Sequence, residues 1–140
     1  MTGDAMNPNY LSDLDFEARL AKVGGLVNGF FPNRAPILRR GFFSIGNGWL
    51  GIVANLIDQC IALGWDRQLC QCKEKFGGLR FYINSASNEV HDAITTAERL
   101  AAVTCDNCGE SGTLRGSGWM ITSCDKCAKP GALPSEGPTT

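Results

Sequence analysis

Helices packed on a small antiparallel sheet, closed at the C-terminal end by a four-cysteine ribbon, form the α+β fold that three features of this 140-residue chain predict. Apolar residues recur at helical spacing in several stretches. Another stretch alternates around Gly77-Gly78 as a strand pair would, and two C-x2-C pairs lie close together near the end. A hydrophobic content of 44% allows a core of ordinary size, and 17 glycines call for many turns.

Residues 1–9 read as a frayed tail. In "YLSDLDFEARLAKVGGLV", Leu11, Leu14, Ala18 and Ala21 fall at helical spacing, Ser12 or Asp13 can cap the helix, and Gly24-Gly25 ends it. The next stretch, "NGFFPNRAPILRRGFFSIGNG", has prolines, glycines and no period. It reads as an irregular loop pinned by Phe30, Phe31, Phe42 and Phe43, and a loop of that length is often functional. "NGWLGIVANLIDQCIALGW" is the clearest helix. Asn47 is its candidate cap, Leu50, Val53, Ile57 and Ile61 form a stripe widened by Leu56 and Cys60, and Gly64 is the stop. "RQLCQCKEKFGGLRFYIN" reads as a β-hairpin with Gly77-Gly78 at the turn. A last helix follows in "SNEVHDAITTAERLAAV", capped by Ser87 or Asn88, with Val90, Ala93, Ile94, Ala97, Leu100 and Ala101 inward. These readings divide the chain into an N-terminal helix and aromatic, arginine-bearing loop (1–45), a helix–hairpin–helix core (46–103), the ribbon (104–128) and a disordered tail (129–140).

The net charge of −1 is unevenly spread. Residues 34–83 sum to +4, while both flanks are acidic, so a local anion site fits better than bulk adhesion to nucleic acid. No unbroken apolar window is long enough for a transmembrane helix, and no cationic segment precedes an apolar run at the start. A cytoplasmic location without membrane contact is therefore expected. Thiols stay reduced there, so seven cysteines suggest metal before disulfides.

The strongest chemical signal is Cys105-x2-Cys108-x15-Cys124-x2-Cys127. Each pair turns tightly enough to aim two thiolates at one ion, and the intervening hairpin brings the pairs together. The spacing predicts a structural zinc site with no open coordination position and a charge of about −2. A rubredoxin-type iron is the competing metal. Cys60, Cys70 and Cys72 read as buried structural thiols, with Cys70 and Cys72 on one face of a strand.

With Gly77-Gly78 as the two turn residues, Lys75 opposes Arg80 and Lys73 opposes Tyr82. One face is then apolar except for Glu74, and the other gathers Lys73, Lys75, Arg80 and Tyr82. Opposed cations are unfavourable unless an anion lies between them. These four residues are the candidate ligand site, with Arg39 and Arg40 of the aromatic loop as a clamp that could close over them. The plainer readings are a solvated sheet face and an ordinary surface loop whose phenylalanines plug into the core.

"KEKFGGLRFYI", then a helix, then C-x2-C resembles a group of small, mostly uncharacterised proteins of bacteria, prophages and phages. The shared pattern covers roughly residues 46–128, from "GNGWLGIVANLID" through "CDKC". The resemblance implies a phage-type accessory protein in the cytoplasm of a bacterial host and ties no reaction to the chain.

For catalysis, the sequence offers one histidine, His91, scattered carboxylates, and no Ser–His–Asp set, zinc-protease helix, phosphate loop or dinucleotide fingerprint. The expected function is non-enzymatic. It is binding of a small phosphate-containing, nucleotide-like ligand, such as a host defence signal to be sequestered. The alternative is a protein-interaction module that inhibits or adapts a host or phage protein, for which Trp49, Trp65 and Trp119 are candidate anchors. Nucleic-acid binding through the ribbon ranks below both, because Arg115 is the only cation between the cysteine pairs. A homo-oligomer is compatible with the sequence.

Overall fold

The computed structural model describes residues 7–116 and 119–128. The expected tail at 129–140 lies outside them, as do residues 1–6. The class is α+β: three helices pack with a four-stranded sheet, and a two-stranded hairpin carries the cysteines.

Helix α1 spans Asp13–Lys22, and the Ser12 hydroxyl accepts a hydrogen bond from the Asp15 N–H as its N-cap. Its inward face differs from the expected one. Phe16 and Leu20, one turn apart, are buried, while Leu14 is 78% exposed. The heavier pair wins the core side because its burial removes more apolar surface from water. Gly24 and Gly25 then turn the chain in the left-handed region.

Strands β1 (Val27–Asn28) and β2 (Phe43–Ser44) emerge from the segment expected to be irregular. Both pair in parallel along one edge of β3 (Gln68–Lys75), and β4 (Gly78–Ile83) takes the other edge antiparallel. The sheet is thus mixed. The parallel pairs require a crossover, which α2 (Leu50–Ala62) supplies between β2 and β3. Phe43 plugs into the core as expected, but Phe30 and Phe31 stay mostly exposed.

Asn47 does not cap α2. It opens a 3-10 turn, and its side-chain amide donates to the Leu11 carbonyl and the Asp13 carboxylate. Helix α2 is buried around most of its girth, from Leu50 to Cys60, and ends at Gly64. Helix α3 (Asn88–Ala101) is capped by the Ser87 hydroxyl and buries Val90, Ala93, Ile94, Ala97 and Ala101, leaving Leu100 half-exposed. The core lies between these helices and the sheet face bearing Cys72, Leu79 and Phe81.

The β3–β4 register is one residue away from the expected one. Phe76 and Gly77 occupy the turn, with φ of 54° and 81°, so Lys73 opposes Arg80 and Lys75 opposes Gly78. Two successive left-handed residues make the turn that matches strand twist. The faces keep their composition, because moving the turn by one residue changes both strands together. A bulge between Leu69 and Gln71 places Leu69 and Cys72 in the core together. Cys70 is consequently not buried with Cys72 as expected. It is part-exposed, and its thiol donates to the Asn84 side-chain oxygen.

Candidate metal centre and cationic hairpin face

Strands β5 (Thr113–Arg115) and β6 (Ile121–Ser123) bring the two C-x2-C turns together. The sulfurs of Cys105, Cys108, Cys124 and Cys127 all lie within 4.8 Å of one another, and Cys108 and Cys124 are 3.6 Å apart. Four sulfurs about 2.3 Å from one ion stand about 3.8 Å apart in a tetrahedron, so the cluster has the dimensions of a four-thiolate metal site. All four are free thiols rather than bridged pairs. Each turn closes in the same way. The Gly109 N–H donates to the Cys105 carbonyl, and the Ala128 N–H donates to the Cys124 carbonyl. Gly109 takes a φ of 85°, which lets the first turn reverse without a Cβ clash.

The surroundings of the sulfurs suit thiolate ligands. The Asn107 amide donates to the Cys127 sulfur at 3.2 Å, an outer contact that fixes a ligand's direction and was not foreseen from spacing. Its position inside the first C-x2-C was the available clue. Burial pushes the Cys108 thiol up to about 12. Burial acts the same way on Cys124, yet the N–H groups and thiols converging on it draw it down to about 7. A metal ion resolves this disparity by deprotonating all four.

The ribbon is built into the domain. Trp49 donates its indole N–H to the Thr104 carbonyl at 2.7 Å in a buried contact, and the Gly48 N–H donates to the Asp106 carbonyl. A Cβ on Gly48 would overlap the Cys105 carbonyl oxygen, and one on Gly46 the Asp106 oxygen, so both positions demand glycine. Asn9 donates to the Gly109 carbonyl, and the Gly51 N–H donates back to Asn9. Residues 7–9 are thereby tied down rather than frayed. On the hairpin side, the Thr122 hydroxyl donates to the Gly77 carbonyl while the Glu74 carboxylate accepts the Gly77 N–H. Arg115, the ribbon cation considered for nucleic acid, is buried. It donates to the Ser123 carbonyl and to Asp125 at 2.6 Å, bracing the second cysteine turn.

The outer hairpin face carries Lys73, Lys75, Arg80 and Tyr82 together, with Ser44 beside Lys73 on β2. Tyr82 is 43% exposed. Among the described residues no carboxylate lies within ion-pair distance of the three cations, and the buried Arg80 Nε has no hydrogen-bond partner.

The arginine clamp does not form. Arg40 donates to the Phe43 and Ile45 carbonyls at 2.6 Å each and to Asp13 at 3.1 Å, and its backbone N–H donates to Glu17. Its guanidinium anchors the loop to α1 and has no reach left for a ligand. Arg39 is exposed and lines a shallow depression of about 470 Å³ with Arg34 and Phe42, away from the hairpin cations. The guanidinium–ring contact in this loop is Arg34 over Phe31, at 4.2 Å. Of the three tryptophans, Trp49 and Trp65 are core, while Trp119 is 83% exposed.

No protein-family model, curated protein or solved structure matches the chain. No helix among the described residues is long and apolar enough to cross a membrane.

Proposed function

We propose that this is a non-enzymatic binding protein in which zinc, held by Cys105, Cys108, Cys124 and Cys127, locks a hairpin whose outer face takes a small phosphate-containing ligand. The observation that carries the reading is the Lys73–Arg80 cross-strand pair. Two cations face each other with no carboxylate between them among the described residues, and Lys75 and Tyr82 stand on the same face. Such a pair is unfavourable alone and becomes favourable around a phosphate, which accepts from both. Tyr82 supplies a ring on which a base can stack. Zinc suits four closed thiolates better than a redox metal does, because no open position serves chemistry. The phage-type accessory role fits a protein that sequesters a nucleotide messenger.

The test is native mass spectrometry of untagged protein from bacteria, repeated on the denatured sample, for the wild type and for Lys73→Ala/Arg80→Ala. The expected result is one zinc per chain plus a nucleotide-sized mass, or uptake of added nucleotide, that the double variant loses. Retention of zinc with equal nucleotide uptake by both proteins, or no uptake by either, would end the ligand reading. Iron in place of zinc would show as a mass difference and as colour.

A further inference from the structure

We propose that the notch between the β3–β4 turn and the end of the β5–β6 loop is a docking site for a protein partner, one that inserts an apolar side chain flanked by carboxylates. The notch encloses about 260 Å³ between Glu74, Lys75 and Phe76 on one side and Trp119 and Met120 on the other. That is room for one aliphatic or aromatic side chain. Phe76 is 66% exposed and Trp119 83%, so two separate elements hold large rings in water around a single mouth.

The backbone sharpens the point. Phe76 sits at a φ of 54°, a position that glycine or asparagine takes with less strain. The turn cannot relax, since Gly77 is held by Glu74 from within the hairpin and by Thr122 from the ribbon. A strained turn that keeps a phenyl ring outward is an outlier of the kind found where a surface is used. Exposed aromatic residues beside a cation are also the composition of interface anchors.

Charge selects the occupant. The Glu74 carboxylate is occupied by the Gly77 N–H, whereas the Lys75 ammonium stands 5.6 Å from the Phe76 ring centre at the mouth. The potential a partner meets there is positive, and carboxylates beside its anchor complement it. A polyanionic strand fits less well, because the thiolate centre and the exposed Asp125 lie on the same ribbon. This site is separate from the phosphate face, whose test residues are Lys73 and Arg80. One wall of the notch belongs to the ribbon, so the site depends on metal.

The zinc-loaded full chain is panned against a displayed library of random short peptides. The selected peptides are then measured on wild type, Phe76→Asn, Trp119→Ser and Lys73→Ala/Arg80→Ala. Asparagine is chosen because it tolerates the left-handed turn, so a loss there is not a folding failure. Selected peptides are expected to share one apolar residue beside Asp or Glu, and to bind Phe76→Asn and Trp119→Ser about tenfold or more weakly, with a smaller loss in the lysine–arginine variant. Three results would overturn the proposal: no such enrichment or equal binding by the aromatic variants, a labelled single-stranded oligothymidine that occupies the same rings, or self-association that Phe76→Asn abolishes. The second assigns the notch to nucleic acid and the third to another copy of this chain.

Discussion

Chelating the metal should melt the helices as well as the ribbon. Four hydrogen bonds join the ribbon to the rest of the described chain: Trp49 to Thr104, Gly48 to Asp106, Asn9 to Gly109, and Thr122 to Gly77. At a net value of about 1 kcal/mol each, their loss removes about 4 kcal/mol from the fold. For a chain of this size, one kcal/mol moves the thermal midpoint by about 3–5 °C, so apo protein is expected to melt about 12–20 °C below the metal-loaded form. The assay is far-ultraviolet circular dichroism, which reads α2 and α3 rather than the ribbon. It is run under reducing conditions with and without a strong chelator, and metal loss is verified by mass. Cys105→Ser and Cys124→Ser should reproduce the chelated curve without chelator. If metal is gone and the helical midpoint has moved by less than about 2 °C, the ribbon is an appendage and the interlock carries no energy.

Three further outcomes follow from single positions. Phe76→Asn should raise stability by about 0.5–1 kcal/mol in urea titration by relieving left-handed strain, while Gly77→Ala should lower it by about 2 kcal/mol or more, because a methyl there meets Leu114. Arg40→Met should cost about 3 kcal/mol in the same titration, since it orphans the Phe43 and Ile45 carbonyls and frees Asp13, whereas Arg39→Ala should stay within about 0.5 kcal/mol. The hydrogen bond from Asn47, with help from Arg40, holds the Asp13 carboxyl below its ordinary 3.8. A lowered folded value means a contribution present above pH 3.8 and lost as pH falls through the folded value, so Asp13→Asn should flatten the acid limb of the stability curve below about pH 4 and leave its neutral region parallel to wild type.

What the sequence disclosed tracks how local the determining physics is. Helices α2 and α3 repeat an apolar period over several turns, and Gly64 and Ser87 mark their ends within a residue or two. The four cysteines declare their chemistry by spacing alone. The hairpin faces were legible because period-two alternation survives a shift of the turn, but the register was not. Gly77-Gly78 is the easier turn by local preference, and what selects Phe76-Gly77 includes Thr122 and Leu114, well over thirty residues away in the chain. Strands β1 and β2 are two residues each and carry no period to detect. Arg40 looked like a free cation because its acceptors are mainly backbone carbonyls, which one-letter code does not display. The glycines of "GNGW" looked like turn residues, when Gly46 and Gly48 are glycine because another backbone passes against them.

That passage of one backbone against another sets an order of events in the cell. The indole of Trp49 finds its acceptor 55 residues downstream, and the neighbouring glycines find theirs in the first cysteine turn. A ribosome releases residues 7–103 before any of that covering exists, so the growing chain carries an unfinished seam at the start of α2. The seam closes only after Cys127 has left the exit tunnel and an ion has been captured. Translation alone therefore does not complete this protein. Its folded fraction follows the local supply of metal, and a starved cell would hold the same polypeptide as a substrate for its proteases.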